Sequence, residues 1–214
     1  MSLGILRILG IIVFLYLTWR NLKDDYTSEK VITYGWLALV GFLVLGRVGF
    51  GVVNFGIWKN WSDWLAVWNK PGMSYVAGFL GLAVATWLYG LVNEWKFLAF
   101  MEDNLSSVLA FLWFLMADEF LRARMDLRPL IYLVILIVVF LISRIVSKKY
   151  RSFVWYRSGK KGFVFLFSVF LAFLLLAIGF GLMDEGLVSV VLSLIISLIS
   201  LITLFILGKV KRKI

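Results

Sequence analysis

The alternation of long apolar runs and short polar stretches predicts a chain built from membrane-spanning helices. A helix needs about 20 residues to cross the hydrocarbon layer of a bilayer. The apolar runs of this chain that reach or approach that length lie at 4–19, 32–57, 73–92, 97–117, 129–147, 163–183 and 186–208. We therefore predict an all-α fold, a polytopic membrane protein with about seven transmembrane helices in one bundle.

The polar stretches between these runs predict a single domain and an orientation. They are too short for a separate soluble domain, so we expect 1–214 to form one integral-membrane domain. We expect the first run to stay as a helix, because no small-residue cleavage site precedes "RNLKDD". Successive polar segments lie on opposite sides of the membrane. The side that includes the C-terminus carries fifteen Lys and Arg residues, and the side that includes the N-terminus carries six. Because the cytoplasmic side is the more basic one, we predict an outside N-terminus and a cytoplasmic C-terminus.

Composition supports the membrane prediction and narrows the chemistry. The chain is 63% hydrophobic and 16% charged, against roughly 25% charge in soluble domains. The net charge is +10, and the basic residues lie in short segments beside the apolar spans, where they meet anionic lipid. We therefore do not expect nucleic acid as a partner. The chain contains no Cys and no His. Thiolate chemistry and imidazole bases are therefore excluded, and we expect no metal site and no cofactor.

One charged residue lies about midway along a predicted span. Arg47 lies in "VLGRVGFGVVNF", and helical spacing places Gly51 and Asn54 near the same face. Such a residue is costly in a bilayer and points to function. A buried guanidinium suits the phosphate of a phospholipid headgroup. The alternative is that Arg47 forms an ion pair with Asp103 or Asp118 and ties helices together.

Other polar clusters have mainly structural interpretations. Glu102 and Asp103 are adjacent, so one can face inward while the other stays wet. Asp118 and Arg122 have the i, i+4 spacing of a helical ion pair, typical of an interfacial cluster. The basic aromatic segment 147–161 is typical of a loop that touches anionic headgroups, with a specific partner site as the alternative. A serine stripe predicts close helix packing rather than catalysis; it consists of Ser189, Ser193, Ser197 and Ser200.

Three stretches, in order, resemble a known enzyme family. "LGRVGFGVVNF" is similar to its G-x-R-x-G-Y span, with Arg47 at the arginine, and "KFLAFMEDNLSSVLAF" places Asp103 at a family aspartate. "AVWNKPGMSYVAGFLG" is similar to its W-x-G-G-M-S-F-H-G-G-x-x-G motif. The matching positions there are Trp68, Gly72, Met73, Ser74, Gly78 and Gly81. The family is that of the prolipoprotein diacylglyceryl transferases, and the resemblance is strongest over 4–115.

The resemblance implies a substrate, partners and a location. Members move a diacylglyceryl group from phosphatidylglycerol to the lipobox cysteine of a lipoprotein precursor, in the bacterial plasma (inner) membrane. The expected partners are therefore phosphatidylglycerol and a lipoprotein signal segment. The residues expected to bind lipid are Arg47, Asn54, Gly72, Met73, Ser74, Gly78 and Asp103.

Departures from the family pattern bear on activity. Val76 stands where the motif has its histidine, and Ala117 and Phe120 replace an arginine and an asparagine of a later signature. No charged residue occurs in 163–182, where the family carries an arginine and a glutamate, and the extracellular head is reduced to a short segment. We expect no catalytic residue at these positions. The hypotheses are a divergent active transferase, or a non-catalytic relative that binds phospholipid or a signal segment as a scaffold. A small transporter is a third.

Overall fold

The computed structural model describes residues 4–53, 73–122, 127–153, 156, 160–183 and 187–209. In these ranges the chain forms seven helices long and apolar enough to span a membrane, with no strand. They are α1 (Ile5–Leu22), α2 (Ser28–Val53), α3 (Tyr75–Val92), α4 (Phe97–Arg122), α5 (Leu127–Lys149), α6 (Phe163–Met183) and α7 (Leu187–Lys209). The prediction of an all-helical, polytopic membrane protein is confirmed. The prediction that 1–214 form one domain stays a prediction.

The helices extend past the apolar runs at several charged ends. α4 continues to Arg122 although its apolar run ends at 117. α2 begins at Ser28, four residues before its apolar run. An apolar run ends at the first charged residue, whereas the helix can continue when its charged side chains reach water or a partner. The ion pair of Asp118 with Arg122, at 2.8 Å, is such a case.

The chain folds into two compact units, one of which is Thr18–Phe97. In that unit α2 buries one face, with Val31, Tyr34, Ala38 and Phe42 at spacings of three and four. α3 turns a face of small residues inward, including Gly78, Gly81 and Thr86. The buried hydroxyls of Tyr34 and Thr86 form a hydrogen bond of 3.1 Å, so the polar groups of this core satisfy each other.

The second unit comprises Met1–Leu17 and Leu98–Ile214. α6 is the most buried of its described spans, with 56% of its apolar stretch inside the protein. Its Ser168 hydroxyl lies 2.5 Å from that of Ser143 on α5, and its Phe170 carbonyl accepts a 3.2 Å hydrogen bond from Ser197 of α7. Elsewhere in the unit, Phe14 of α1 packs against Phe111 of α4, with ring centroids 5.4 Å apart.

α7 buries small polar side chains and exposes large apolar ones, as a lipid-facing helix does. Its buried side chains include Ser193, Ser197 and Ser200, whereas large apolar side chains of the other face, such as Ile199 and Phe205, are about half exposed. Apolar side chains cost nothing against lipid tails, so the small polar ones turn inward and allow close packing. The predicted packing role of the stripe is confirmed for these three serines. The side chain of Ser189 lies outside the described residues.

Candidate functional site

The first residue of the "GMSYVAG" stretch with a defined role is Ser74, which begins α3 and attaches it to α2. Its side chain accepts a 3.3 Å hydrogen bond from the Ala77 N–H, as a helix N-cap does. Its own backbone N–H donates to the Gly46 carbonyl of α2 at 2.9 Å. A carbonyl has two lone pairs, so Gly46 can accept this bond in addition to its helical one. The start of α3 is therefore fixed against α2 at one residue.

Glycines allow this close approach. A Cβ added to Gly46 would lie 3.0 Å from Met73 Cγ, and one added to Gly78 would lie 2.8 Å from a ring carbon of Phe42. Farther along the two helices, a Cβ on Gly41 would meet the Gly81 carbonyl oxygen at 2.7 Å. Side chains at these positions would push α2 and α3 apart. Gly78, Gly81 and Met73, which matched the family motif by position, therefore lie along one tight interface.

Arg47 lies directly beside this junction. It follows Gly46 in α2 and is 5% exposed. Because Gly46 bonds to Ser74, Arg47 belongs to the part of α2 that packs against the N-terminus of α3. A helix N-terminus carries a partial positive charge. Two features that favour an anion therefore occur at the same level of this unit. Asn54 and Gly72, also predicted here, lie outside the described residues.

The positions compared with family catalytic residues carry no acid or base. Val76 is half-buried in the first turn of α3, and Ala117 and Phe120 lie in the last turns of α4. None of the three can transfer a proton. Among the described residues, no group of three His, Cys, Asp or Glu side chains is arranged to hold a metal ion.

Asp118 forms a buried ion cluster at the end of α4. Its side chain is 1% exposed and lies 2.6 Å from Arg7 Nε and 2.8 Å from Arg122 Nε. Glu119 lies 3.2 Å from Arg7 Nη2 at a more exposed position. The i, i+4 spacing predicted the contact with Arg122. The Arg7 contact spans 111 residues in sequence and was missed; the charge of Arg7 inside the first apolar run was its available signal.

Glu102 and Asp103 divide their roles near the start of α4. Glu102 accepts hydrogen bonds from the backbone N–H groups of Gly162 and Val164, at 2.7 and 2.8 Å, and from the Tyr150 hydroxyl at 3.2 Å. Asp103 binds Lys161 Nζ with both oxygens, at 3.0 and 2.9 Å. One acid holds the start of α6 while its neighbour forms a more exposed ion pair. Sequence spacing gave no indication of either long-range contact.

The comparison with protein families decides the relationship. The family model for prolipoprotein diacylglyceryl transferase matches residues 2–114. This chain belongs to the prolipoprotein diacylglyceryl transferase family. The match includes α1, α2, α3 and most of α4, and therefore Arg47, the Ser74 junction and Asp103. Ala117 and Phe120 lie beyond its end.

Curated members of the prolipoprotein diacylglyceryl transferase family match a shorter share of the chain. The phosphatidylglycerol–prolipoprotein diacylglyceryl transferase of Neisseria meningitidis serogroup C / serotype 2a is 31% identical over 105 residues, which cover 44% of this chain and 35% of that protein. The protein of the same name from Neisseria gonorrhoeae is 30% identical over 105 residues, with the same coverage. The alignment thus spans about a third of the length of these relatives.

Proposed function

We propose that this membrane protein binds phospholipid, with phosphatidylglycerol as the preferred lipid, at the α2–α3 junction, and that its diacylglyceryl transfer activity is weak or lost. The observation that carries the proposal is the burial of Arg47 beside the junction of Gly46 and Ser74. A guanidinium in a water-poor site binds phosphate through paired N–H donors. The names of the Neisseria relatives include phosphatidylglycerol.

The proposed lipid-binding set is Arg47, Asn54, Gly72, Met73, Ser74, Gly78 and Asp103. Arg47 supplies the charge, Ser74 sets the start of α3, and Gly78 keeps the two helices close. Asp103 belongs to the other compact unit and is paired with Lys161, so its proposed role rests on the family resemblance. The proposed location is the bacterial plasma (inner) membrane, with the C-terminus in the cytoplasm.

The proposal of weak or lost activity rests on missing acid–base groups. Transfer to a cysteine requires removal of the thiol proton, and a positioned base contributes about 10²–10⁴-fold to such a step. The chain has no His, and Val76 occupies the position of the motif histidine. Asp118, the carboxylate nearest the later family signature, is held between two arginines. A lipoprotein signal segment remains a proposed second ligand of this site.

Lipid binding is tested with the full chain purified in detergent. Fluorescent phosphatidylglycerol is titrated against the wild type and Arg47→Gln, with phosphatidylcholine as the lipid control. Arg20→Gln is the matched variant, because Arg20 is an arginine at the end of α1, outside the junction. We expect Arg47→Gln to weaken phosphatidylglycerol binding at least about tenfold, a loss of about 1.4 kcal/mol. Equal affinities for all three proteins would contradict the proposed site.

Activity is tested separately. The purified protein is incubated with phosphatidylglycerol labelled in its diacylglyceryl group and a lipobox peptide, and transfer of label to the peptide is measured. We expect no turnover, or turnover barely above a detergent blank. Rapid transfer would overturn the proposal of lost activity and leave the lipid-binding proposal intact.

A further inference from the structure

A polar cavity lies in the second unit, far along the chain from Arg47. Its volume is about 370 Å³, and it is lined by residues of α4, α5, the segment that leads into α6 and the first turn of α6. Its lining has a charged and polar part, here called the rim, and an apolar part. The rim contains Glu102, Asp103, Arg144, Ser147, Arg151 and Lys161, and the apolar part contains Leu105, Leu109 and Val164, which are buried, and Phe140, which is 38% exposed.

The lining changes character along both α4 and α5. On α4 they run from Glu102 to Leu109, and on α5 from Ser147 back to Phe140. Seven residues of helix correspond to about 10 Å. Each helix therefore passes from polar to apolar over about two turns. This gradient matches the polar head and the first carbons of an amphiphile.

The acids at the rim already have partners. Glu102 accepts three hydrogen bonds, two from backbone N–H groups and one from Tyr150. Asp103 receives both of its close contacts from Lys161. The negative charge of the rim is therefore committed to holding α4 against the start of α6.

The two arginines of the rim differ from the acids. Within the described ranges, neither Arg144 nor Arg151 forms an ion pair with a carboxylate. Each guanidinium instead lies over an aromatic ring of the cavity lining: Arg144 over Phe140 at 5.9 Å, and Arg151 over Tyr150 at 5.7 Å. A cation–π contact holds a guanidinium near the ring without using its N–H donors. The Tyr150 hydroxyl, by accepting from Arg151 Nε, raises the pKa of that guanidinium above its ordinary value.

We propose that this cavity is a second anion site, which takes a phosphate group between Arg144 and Arg151 with the attached glycerol or acyl carbons against Leu109 and Phe140. Ser147 stands between the two arginines in sequence and lines the same rim, but its hydroxyl donates to the Arg144 carbonyl at 2.8 Å, so the two guanidinium groups are the phosphate donors of the site. The phosphate can belong to a phospholipid or to a soluble phosphate ester. The site is independent of the proposed function, which concerns the α2–α3 junction.

The test compares two double variants of the full chain in detergent. Arg144→Gln with Arg151→Gln removes the two cavity arginines. Lys148→Gln with Lys149→Gln removes the same charge from the exposed end of α5, outside the cavity lining. Fluorescent phosphatidylglycerol is titrated against each. We expect at least a fivefold loss of affinity for the arginine pair and less than twofold for the lysine pair. Equal losses from the two pairs would overturn the proposal, as would an arginine pair that loses no affinity for either phosphatidylglycerol or glycerol phosphate.

A third variant tests the cavity without changing charge. Ser147→Trp places a large ring at the rim and removes only a hydroxyl that donates to the Arg144 carbonyl. It should lower affinity as the arginine pair does, and unchanged binding would contradict a site inside the cavity. Size-exclusion profiles and thermal unfolding establish that each variant is folded.

A parallel titration with glycerol phosphate identifies the source of the phosphate. Binding that depends on Arg144 and Arg151 supports a soluble ester as a ligand, whereas arginine-dependent binding of phosphatidylglycerol alone supports a lipid. Binding of neither probe overturns the site. Arg47→Gln should leave the difference between the two double variants unchanged, which separates this proposal from the one at the α2–α3 junction.

Discussion

The two ends of α4 carry the same kind of sequence, a pair of adjacent acids, and use it differently. Glu102 and Asp103 precede Asp118 and Glu119 by 16 residues, which corresponds to about 24 Å of helix. At one end, Asp118 is closed off by two arginines and is 1% exposed. At the other, Glu102 binds backbone N–H groups and borders an open cavity of about 370 Å³. Adjacent acids therefore define neither an ion cluster nor a site until their long-range partners are known.

The closed end should be the more sensitive to substitution. Asp118→Asn leaves Arg7 and Arg122 without their shared carboxylate. Breaking a buried pair costs about 3 kcal/mol or more, which for a chain of this size lowers the unfolding midpoint by roughly 6 to 12 °C. Thermal unfolding in detergent, followed by Trp fluorescence, measures the shift. Glu119→Gln is the control, because its carboxylate is more exposed and should contribute less than about 1 kcal/mol. A midpoint for Asp118→Asn within about 2 °C of the wild type would contradict the closed cluster.

The open end should show an intermediate effect at Glu102. Glu102→Ala removes the acceptor of two backbone N–H groups at the start of α6, and loss of such a cap costs about 2 kcal/mol at most. Glu102→Gln keeps one acceptor oxygen and should lose less than half as much. The same unfolding assay ranks the two variants. If alanine and glutamine proved equally harmful, charge rather than hydrogen bonding would hold the start of α6.

Tyr150→Phe should have a smaller effect. The variant keeps the ring, which stacks on Phe163 with centroids 5.3 Å apart, but removes the hydroxyl between Glu102 and Arg151. A hydrogen bond of this kind contributes about 1 kcal/mol. Thermal unfolding measures that loss. Phosphatidylglycerol affinity should fall as well, because Arg151 loses the contact that orients it; a stability loss with unchanged affinity would separate the two roles of the hydroxyl.

Lys161→Gln should have the smallest effect on stability. The ion pair with Asp103 is partly exposed, with 44% and 23% of the two side chains accessible, and pairs of this kind contribute about 0–1 kcal/mol. We expect a midpoint change within about 2 °C that disappears when salt is raised, because exposed pairs are screened. A larger shift that persists in high salt would show that this pair contributes to stability as the buried cluster of Asp118 does, and not as an exposed pair.

The helices were predictable because hydropathy reports burial in lipid directly. The apolar runs indicated each span in the part of the chain that the structure describes, with the largest errors at charged ends such as 118–122, where the helix continues through paired side chains. Local spacing also predicted the ion pair of Asp118 with Arg122 and the packing of Ser193, Ser197 and Ser200. These features depend on residues a few positions apart.

The sites were harder to predict because their parts come from distant segments. Arg7 and Asp118 are 111 residues apart, and Glu102 and Val164 are 62 apart. No periodicity connects such positions. The family pattern did indicate Ser74 and Gly78, but their physical role, a backbone bond to Gly46 and contact with Phe42, required the paired helices. Of the residues that line the cavity, the basic aromatic segment 147–161 included Ser147, Tyr150, Arg151 and Lys161, and nothing in the sequence connected that segment with Arg144 or with α4.

The hydrogen bonds of Glu102 cross the end of the segment that matches the family model. Glu102 lies inside 2–114, and its partners Tyr150, Gly162 and Val164 lie beyond it. The two halves are therefore coupled in assembly. A gene divided in the connection between α4 and α5 would encode fragments that must meet in the bilayer before α6 acquires its cap. Co-expression of two such fragments would turn this carboxylate into a reporter of membrane-protein reassembly.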